Sequence, residues 1–255
     1  MFKKPIRKKQ TIIEIIVMVI LAIVLVVGMS KDKKETVNSK KEITSVSEVE
    51  KTTTETVVVE GQKEEVILKE INSDLVITNI GSYSGHYVED GSDEEVSDVL
   101  MIQLKNCSDE PVEYAVLNIV LEDTVAEFTV SALMPGAEVI LLEKNRMSFD
   151  PSVDYVGQQI DCLSFAKYQY PLELQEDKLS IQVLDGAVNV TNISDMDIPG
   201  DVTIYYKNKE NGIYLGGIAY RITIEGGISK GEIRQKMAGH ILENGSEILF
   251  VTISE

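Results

Sequence analysis

The sequence predicts an all-β molecule: two tandem antiparallel β-sandwich units that follow a transmembrane helix and a flexible linker. Three observations predict it. Short β-branched runs bounded by turn residues recur from about residue 66 to the end, no stretch of helical period and length competes with them after the first 29 residues, and the two halves of that region repeat each other.

Residues 1–10 carry Lys3, Lys4, Arg7, Lys8 and Lys9 and are followed by an almost unbroken apolar stretch over 11–29. At ~1.5 Å per helical residue that stretch spans about 28 Å, close to a bilayer's hydrocarbon core, and the basic cluster before it predicts a cytoplasmic N-terminus. Glu14 lies near enough to the end of the span to reach the headgroups. A cleaved signal peptide shares the basic-then-apolar layout and is the competing reading, but the apolar core is long for one and no A-x-A site occurs. The expected location is the cell membrane, single-pass, with everything after the span outside. Residues 30–60 are rich in Lys, Glu, Thr, Ser and Val, contain no Gly, Pro or aromatic residue, and read as an extracytoplasmic linker.

The strands of the first unit, 61–149, are expected at 66–68, 75–78, 99–104, 115–121, 127–131 and 138–142. A connector is expected over 150–177. The second unit, 178–255, repeats the style at 179–184, 187–192, 202–206, 217–224, 232–237 and 248–253. Within the strand at 217–224, Ile218, Tyr220, Ile222 and Ile224 alternate with Ala219, Arg221 and Thr223, so one face meets a core and the other water. Asn106-Cys107-Ser108-Asp109-Glu110-Pro111-Val112 aligns with Asn192-Ile193-Ser194-Asp195-Met196-Asp197-Ile198, and Pro135-Gly136-Ala137-Glu138 aligns with Lys230-Gly231-Glu232 after it. Asn, Ser and Asp in such turns hydrogen-bond their own backbone, which gives the shared spacing a mechanical purpose. The growing offset between the two copies places an insertion in the second unit at roughly 207–217.

That N-x-S-D-x-x-[VI] turn, followed by alternating strands and a Gly-containing turn, resembles the small immunoglobulin-like modules of the FxLYD type found outside the membrane in Gram-positive bacteria. Ile204-Tyr205-Tyr206-Lys207 occupies the strand comparable to the family's naming run. The resemblance implies an immunoglobulin-like sandwich and brings no catalytic residue with it.

Composition narrows function. The net charge is −18 and the first 29 residues carry five Lys or Arg against one Glu, so the remainder holds −22, which repels phosphate backbones and argues against a nucleic-acid partner. The two histidines, His86 and His240, stand in separate Gly-containing loops, and no G-x-S-x-G elbow occurs, so no catalytic or metal set is expected. The acidic run 89–98 offers oxygen ligands but not in EF-hand order, and reads as a solvated charged loop. Tyr205, Tyr206, Tyr214 and Tyr220 cluster in the second unit, where strand packing is the ordinary use and sugar stacking the alternative. Cys107 and Cys162 are a candidate disulfide in an oxidising compartment. The expectation is a membrane-anchored, non-catalytic binding or adaptor module without cofactor, with a protein partner at the cell envelope; the alternatives are a carboxylate-based enzyme on cell-wall polymers or a structural spacer.

Overall fold

The computed structural model describes residues 67–92 and 94–254, so the expected span at 11–29 and the linker at 30–60 lie outside the described residues. Among the described residues no helix is long and apolar enough to cross a membrane. The strands are β1 (Lys69–Glu70), β2 (Leu75–His86), β3 (Glu95–Asn106), β4 (Val112–Val120), β5 (Val125–Leu133), β6 (Glu138–Leu142) and β7 (Gln159–Lys167), then β8 (Leu179–Leu184), β9 (Ala187–Asn192), β10 (Val202–Glu210), β11 (Ile213–Leu215), β12 (Tyr220–Ile224), β13 (Ile233–Met237) and β14 (Ser246–Ile253). The described chain is therefore all-β with several sheets, as the β-branched runs predict.

The sheets repeat. In the first half β2-β3-β6 form one layer and β5-β4-β7 another; in the second half β8-β9-β13 and β12-β10-β14 have the same order. Registers correspond as well: Lys105 faces Glu138 as Thr191 faces Ile233, and Leu117 faces Phe128 as Ile204 faces Ile222. Each half closes a core between its layers. Leu75, Ile77, Leu100, Ile102 and Leu104 meet Leu117, Ile119, Phe128 and Val130 in the first. Val188 and Val190 meet Ile204, Tyr206, Ile222 and Val251 in the second. Two-residue alternation, broken only near the ends of β4, β5 and β9, supplies these inward faces along β4, β5, β9 and β12.

The turn chemistry is duplicated atom for atom. The Asn106 side-chain amide donates to the carbonyls of Glu110 (2.9 Å) and Leu133 (3.1 Å), and its Oδ1 accepts from the Ser108 N–H (3.0 Å) and hydroxyl (2.8 Å). Asn192 does the same with Met196 (2.8 Å), Ile228 (2.9 Å) and the Ser194 N–H (2.9 Å) and hydroxyl (2.7 Å). Both asparagines are fully buried. Their four hydrogen-bonding sites are spent pinning the first layer's strand end to the second layer, which is why a polar residue is tolerated at zero exposure.

Three expectations need correction. The strand expected at 66–68 is the two-residue β1 at Lys69–Glu70, because the partner positions on β2 are Ile77 and Val76. The connector expected over 150–177 contains β7, which pairs with β4 from Val112↔Lys167 to Val120↔Gln159 and so completes a layer of the first half. The insertion at 207–217 contains a strand that the β-branched pattern does not show, β11.

Candidate functional site

The insertion is where the two halves meet. β10 has the same nine residues as its counterpart β4 but ends beyond the position equivalent to Val120, turns, and returns as β11, whose Tyr214 and Leu215 pair in parallel with Val139 and Ile140 of β6. One eight-stranded sheet thereby crosses from one half to the other. Gly216 then donates to the Ile140 carbonyl (2.9 Å), and the Gly217 carbonyl accepts from the Ser131 N–H (2.8 Å) and hydroxyl (3.1 Å). Glycine is required at both positions. A Cβ at Gly217 would sit 1.8 Å from the Thr129 carbonyl oxygen, and one at Gly216, where φ is +79°, 2.2 Å from that of Val88. Side chains close the rest of the seam: Tyr214, Leu249 and Phe250 of the second half belong to the first half's core, with Phe250 stacked on Tyr205 at 4.3 Å.

Two charges clamp this strap. The Lys207 ammonium, fully buried, donates to the carbonyls of Gly216 (3.0 Å), Gly217 (2.9 Å) and Ile218 (2.9 Å), which uses all three of its protons. Glu89 reaches the same segment from the other side, accepting from the Gly217 N–H (2.7 Å) and from the Leu142 N–H (2.8 Å). Burial pushes the Glu89 carboxyl up to about 7 and the Lys207 ammonium down to about 7; two N–H donors and the opposite charge work against the first shift, and the Glu89 charge against the second. The strap is thus gripped at its carbonyls by a cation and at an N–H by an anion. Local sequence gives no sign of this, since Glu89 opens a run of acidic residues and Lys207 ends an ordinary strand pattern.

Beside the strap lies a cleft of about 330 Å³ between the halves, lined by Tyr83, His86, Tyr87, Asn208, Glu210, Tyr220 and His240 among others. The structure brings together the two histidines that the sequence leaves in separate loops. His86 Nδ1 is 3.2 Å from Glu95, and His240 stacks on Tyr220 at 5.2 Å, which stacks in turn on Tyr206 at 5.3 Å. Among the described residues no cluster of His, Cys, Asp and Glu suited to a metal ion occurs. The acidic loop beside the cleft is engaged with Arg146, whose guanidinium meets Glu94 (2.6 Å) and Asp90 (3.4 Å) and lies over the Tyr87 ring at 4.4 Å. Of the clustered tyrosines, Tyr205, Tyr206 and Tyr214 pack into the cores and only Tyr220 lines the cleft.

No disulfide joins Cys107 to Cys162 among the described residues, so the candidate bridge is not formed. The strand register explains why. Cys107 follows β3 and donates its N–H to the Asp74 carbonyl, while Asp74 pairs with Lys167 at the far end of β7. Cys162 stands opposite Leu117, five strand residues from the Val112↔Lys167 end, or about 16 Å, whereas a disulfide needs Cα atoms within about 7 Å. In the repeat Cys162 occupies the place of Val251, each facing the equivalent core residue of the central strand, Leu117 or Ile204. Burial raises its thiol pKa, as suits a small packing residue. No family model matches the chain, and no curated protein or solved structure shows significant similarity to it.

Proposed function

We propose that the chain is a non-catalytic binding or adaptor module held at the outer face of a cell membrane by the span at 11–29, with two tandem immunoglobulin-like sandwiches as its head and a protein of the cell envelope as its partner. The observation that carries this reading is the strap. Domains in one chain ordinarily move against each other unless their shared surface is large and apolar. Here a continuous sheet, a shared aromatic seam, the buried Lys207 and the desolvated Glu89 carboxylate hold the halves in one arrangement, and the described residues fall in one compact unit. Desolvating Lys207 and Glu89 costs several kcal/mol that a passive spacer has no reason to bear. A fixed pair of sandwiches presents preformed edges and a preformed cleft, which lowers the ordering cost of binding a partner. The described lining of that cleft carries one carboxylate, Glu210, rather than the facing pair that glycoside hydrolysis uses.

The test combines topology with capture. Protease added to intact cells should remove a C-terminal epitope, and a photo-crosslinker placed at exposed positions across the head should trap one discrete envelope protein. Cleavage only after lysis would refute the orientation. Scattered neighbours with no dominant product would favour the spacer.

A further inference from the structure

The repeat exposes a difference between two equivalent strand edges. On β6, Ala137 and Glu143 at the flanks bond to β3 through the Asn106 N–H and the Leu100 carbonyl, so by alternation Glu138, Ile140 and Leu142 turn their backbone groups outward. That outward edge is filled: Gly216 of the strap donates to the Ile140 carbonyl and the Glu89 carboxylate accepts from the Leu142 N–H. On β13, Glu232 and Ala238 bond to Asn192 and Gly186 of the β9 hairpin in the same way, so Ile233, Gln235 and Met237 turn outward. Gln235 therefore corresponds to Ile140 and Met237 to Leu142. Among the described residues β13 pairs with β9 alone.

The open edge has the character of a covered one. Ile233 is 66% and Met237 74% exposed, two large apolar side chains at the two ends of the same strand. Monomeric surfaces rarely gather large apolar side chains along a single strand edge. The edge also carries a cation in a chain of net charge −18: β13 reads Ile-Arg-Gln-Lys-Met, and while Arg234 is paired with Glu232 at 2.8 Å, Lys236 stands exposed.

We propose that β13 is a docking edge for an extended acidic segment of a partner protein, which adds in parallel as β11 does on β6, gives an N–H to the Gln235 carbonyl and sets a carboxylate on the Met237 N–H. The internal precedent fixes the direction, the polar contacts and, through the Glu89 carboxylate on the Leu142 N–H, the acidic group, and the exposed Lys236 favours the same sign of charge. This inference rests on the binding-module reading and names the surface it uses.

The experiment uses the full chain in detergent micelles and a synthetic peptide carrying the sequence of residues 213–217 extended by two glutamates, alongside the same peptide with glutamines instead. Titration should protect the Met237 amide from hydrogen exchange, and the glutamine peptide should bind at least tenfold more weakly. Gln235→Pro leaves the bonds from β13 to β9 intact, because the Gln235 N–H points away from β9, and should abolish binding. I233E/M237E places negative charge on the exposed strip and should weaken it more than tenfold. Unchanged binding by Gln235→Pro, equal binding of both peptides, or no binding at millimolar peptide each overturns the proposal. So does a concentration-dependent dimer that Gln235→Pro dissolves, which would assign the edge to a second copy. Capture of a partner through the cleft face with β13 unprotected would overturn this inference alone and leave the binding-module reading standing.

Discussion

The two halves share strand order, register and turn chemistry, yet only the second carries the stretch from Lys207 to Gly217. In the first half β4 ends at Val120 and turns directly into β5. In the second, β10 extends to Glu210, and the extra residues leave their own sandwich to complete the edge of the other. A unit that repeats in the chain thus gains a fixed neighbour by lengthening one hairpin. The same comparison explains why Lys207 and Glu89 are withdrawn from water: Lys207 holds the strap by its carbonyls, Glu89 ties the strap's Gly217 to Leu142 of β6, and both thereby serve the junction.

Removing the cation should break that junction most severely. Lys207→Ala strips three carbonyls of their donor and leaves the desolvated Glu89 carboxyl without its counter-charge, and is expected to cost about 3–5 kcal/mol in urea unfolding. Gly217→Ala is next, at about 3 kcal/mol, because its Cβ overlaps the Thr129 carbonyl oxygen. Gly239→Ala, where a Cβ meets nothing within 4 Å, should stay within about 0.5 kcal/mol and is the control.

Asn106→Ala and Asn192→Ala sharpen the comparison from the side of likeness. Each removes equivalent buried hydrogen bonds, so each should cost about 2 kcal/mol, with the two values agreeing within about 1 kcal/mol. A large disparity would mean that the turns look alike but bear different loads.

The junction should also answer to pH. With the Glu89 carboxyl pushed up to about 7, the folded state keeps a proton that the unfolded chain has lost, so this group's contribution falls as pH rises from about 4.5 to 7. With the Lys207 ammonium pushed down to about 7, the folded state has lost a proton that the unfolded chain keeps, so its contribution rises from about 7 to 10.5. Unfolding free energies should therefore pass through a minimum near neutrality, with limbs of about 3 kcal/mol or more by the size of the two shifts. Glu89→Gln should remove the acidic limb and Lys207→Ala the alkaline one.

Much of the fold was legible because alternation is a local signal. Val202, Ile204, Ile222 and Ile224 announce their faces without reference to anything distant, and the Asn106 and Asn192 turns announce each other. β7 was missed because Gln159–Lys167 mixes half-buried and exposed positions with no clean alternation, its core neighbour being supplied by register with β4. β11 was missed because three residues carry no period, and its partner β6 is remote in sequence. Glu89 reads as one more acidic loop residue, since what buries it is the distant strap. The cleft that joins His86 and His240 has the same origin: each histidine is placed by its own loop, and only docking of the halves makes them neighbours.

Differential scanning calorimetry of the full chain in micelles, with the wild type and Gly217→Ala run side by side, tests the docking of the halves most directly. A head locked by the strap should melt in one transition whose calorimetric and van't Hoff enthalpies agree, and Gly217→Ala should split it into two. Two independent transitions in the wild type, or a single undivided one in Gly217→Ala, would contradict it.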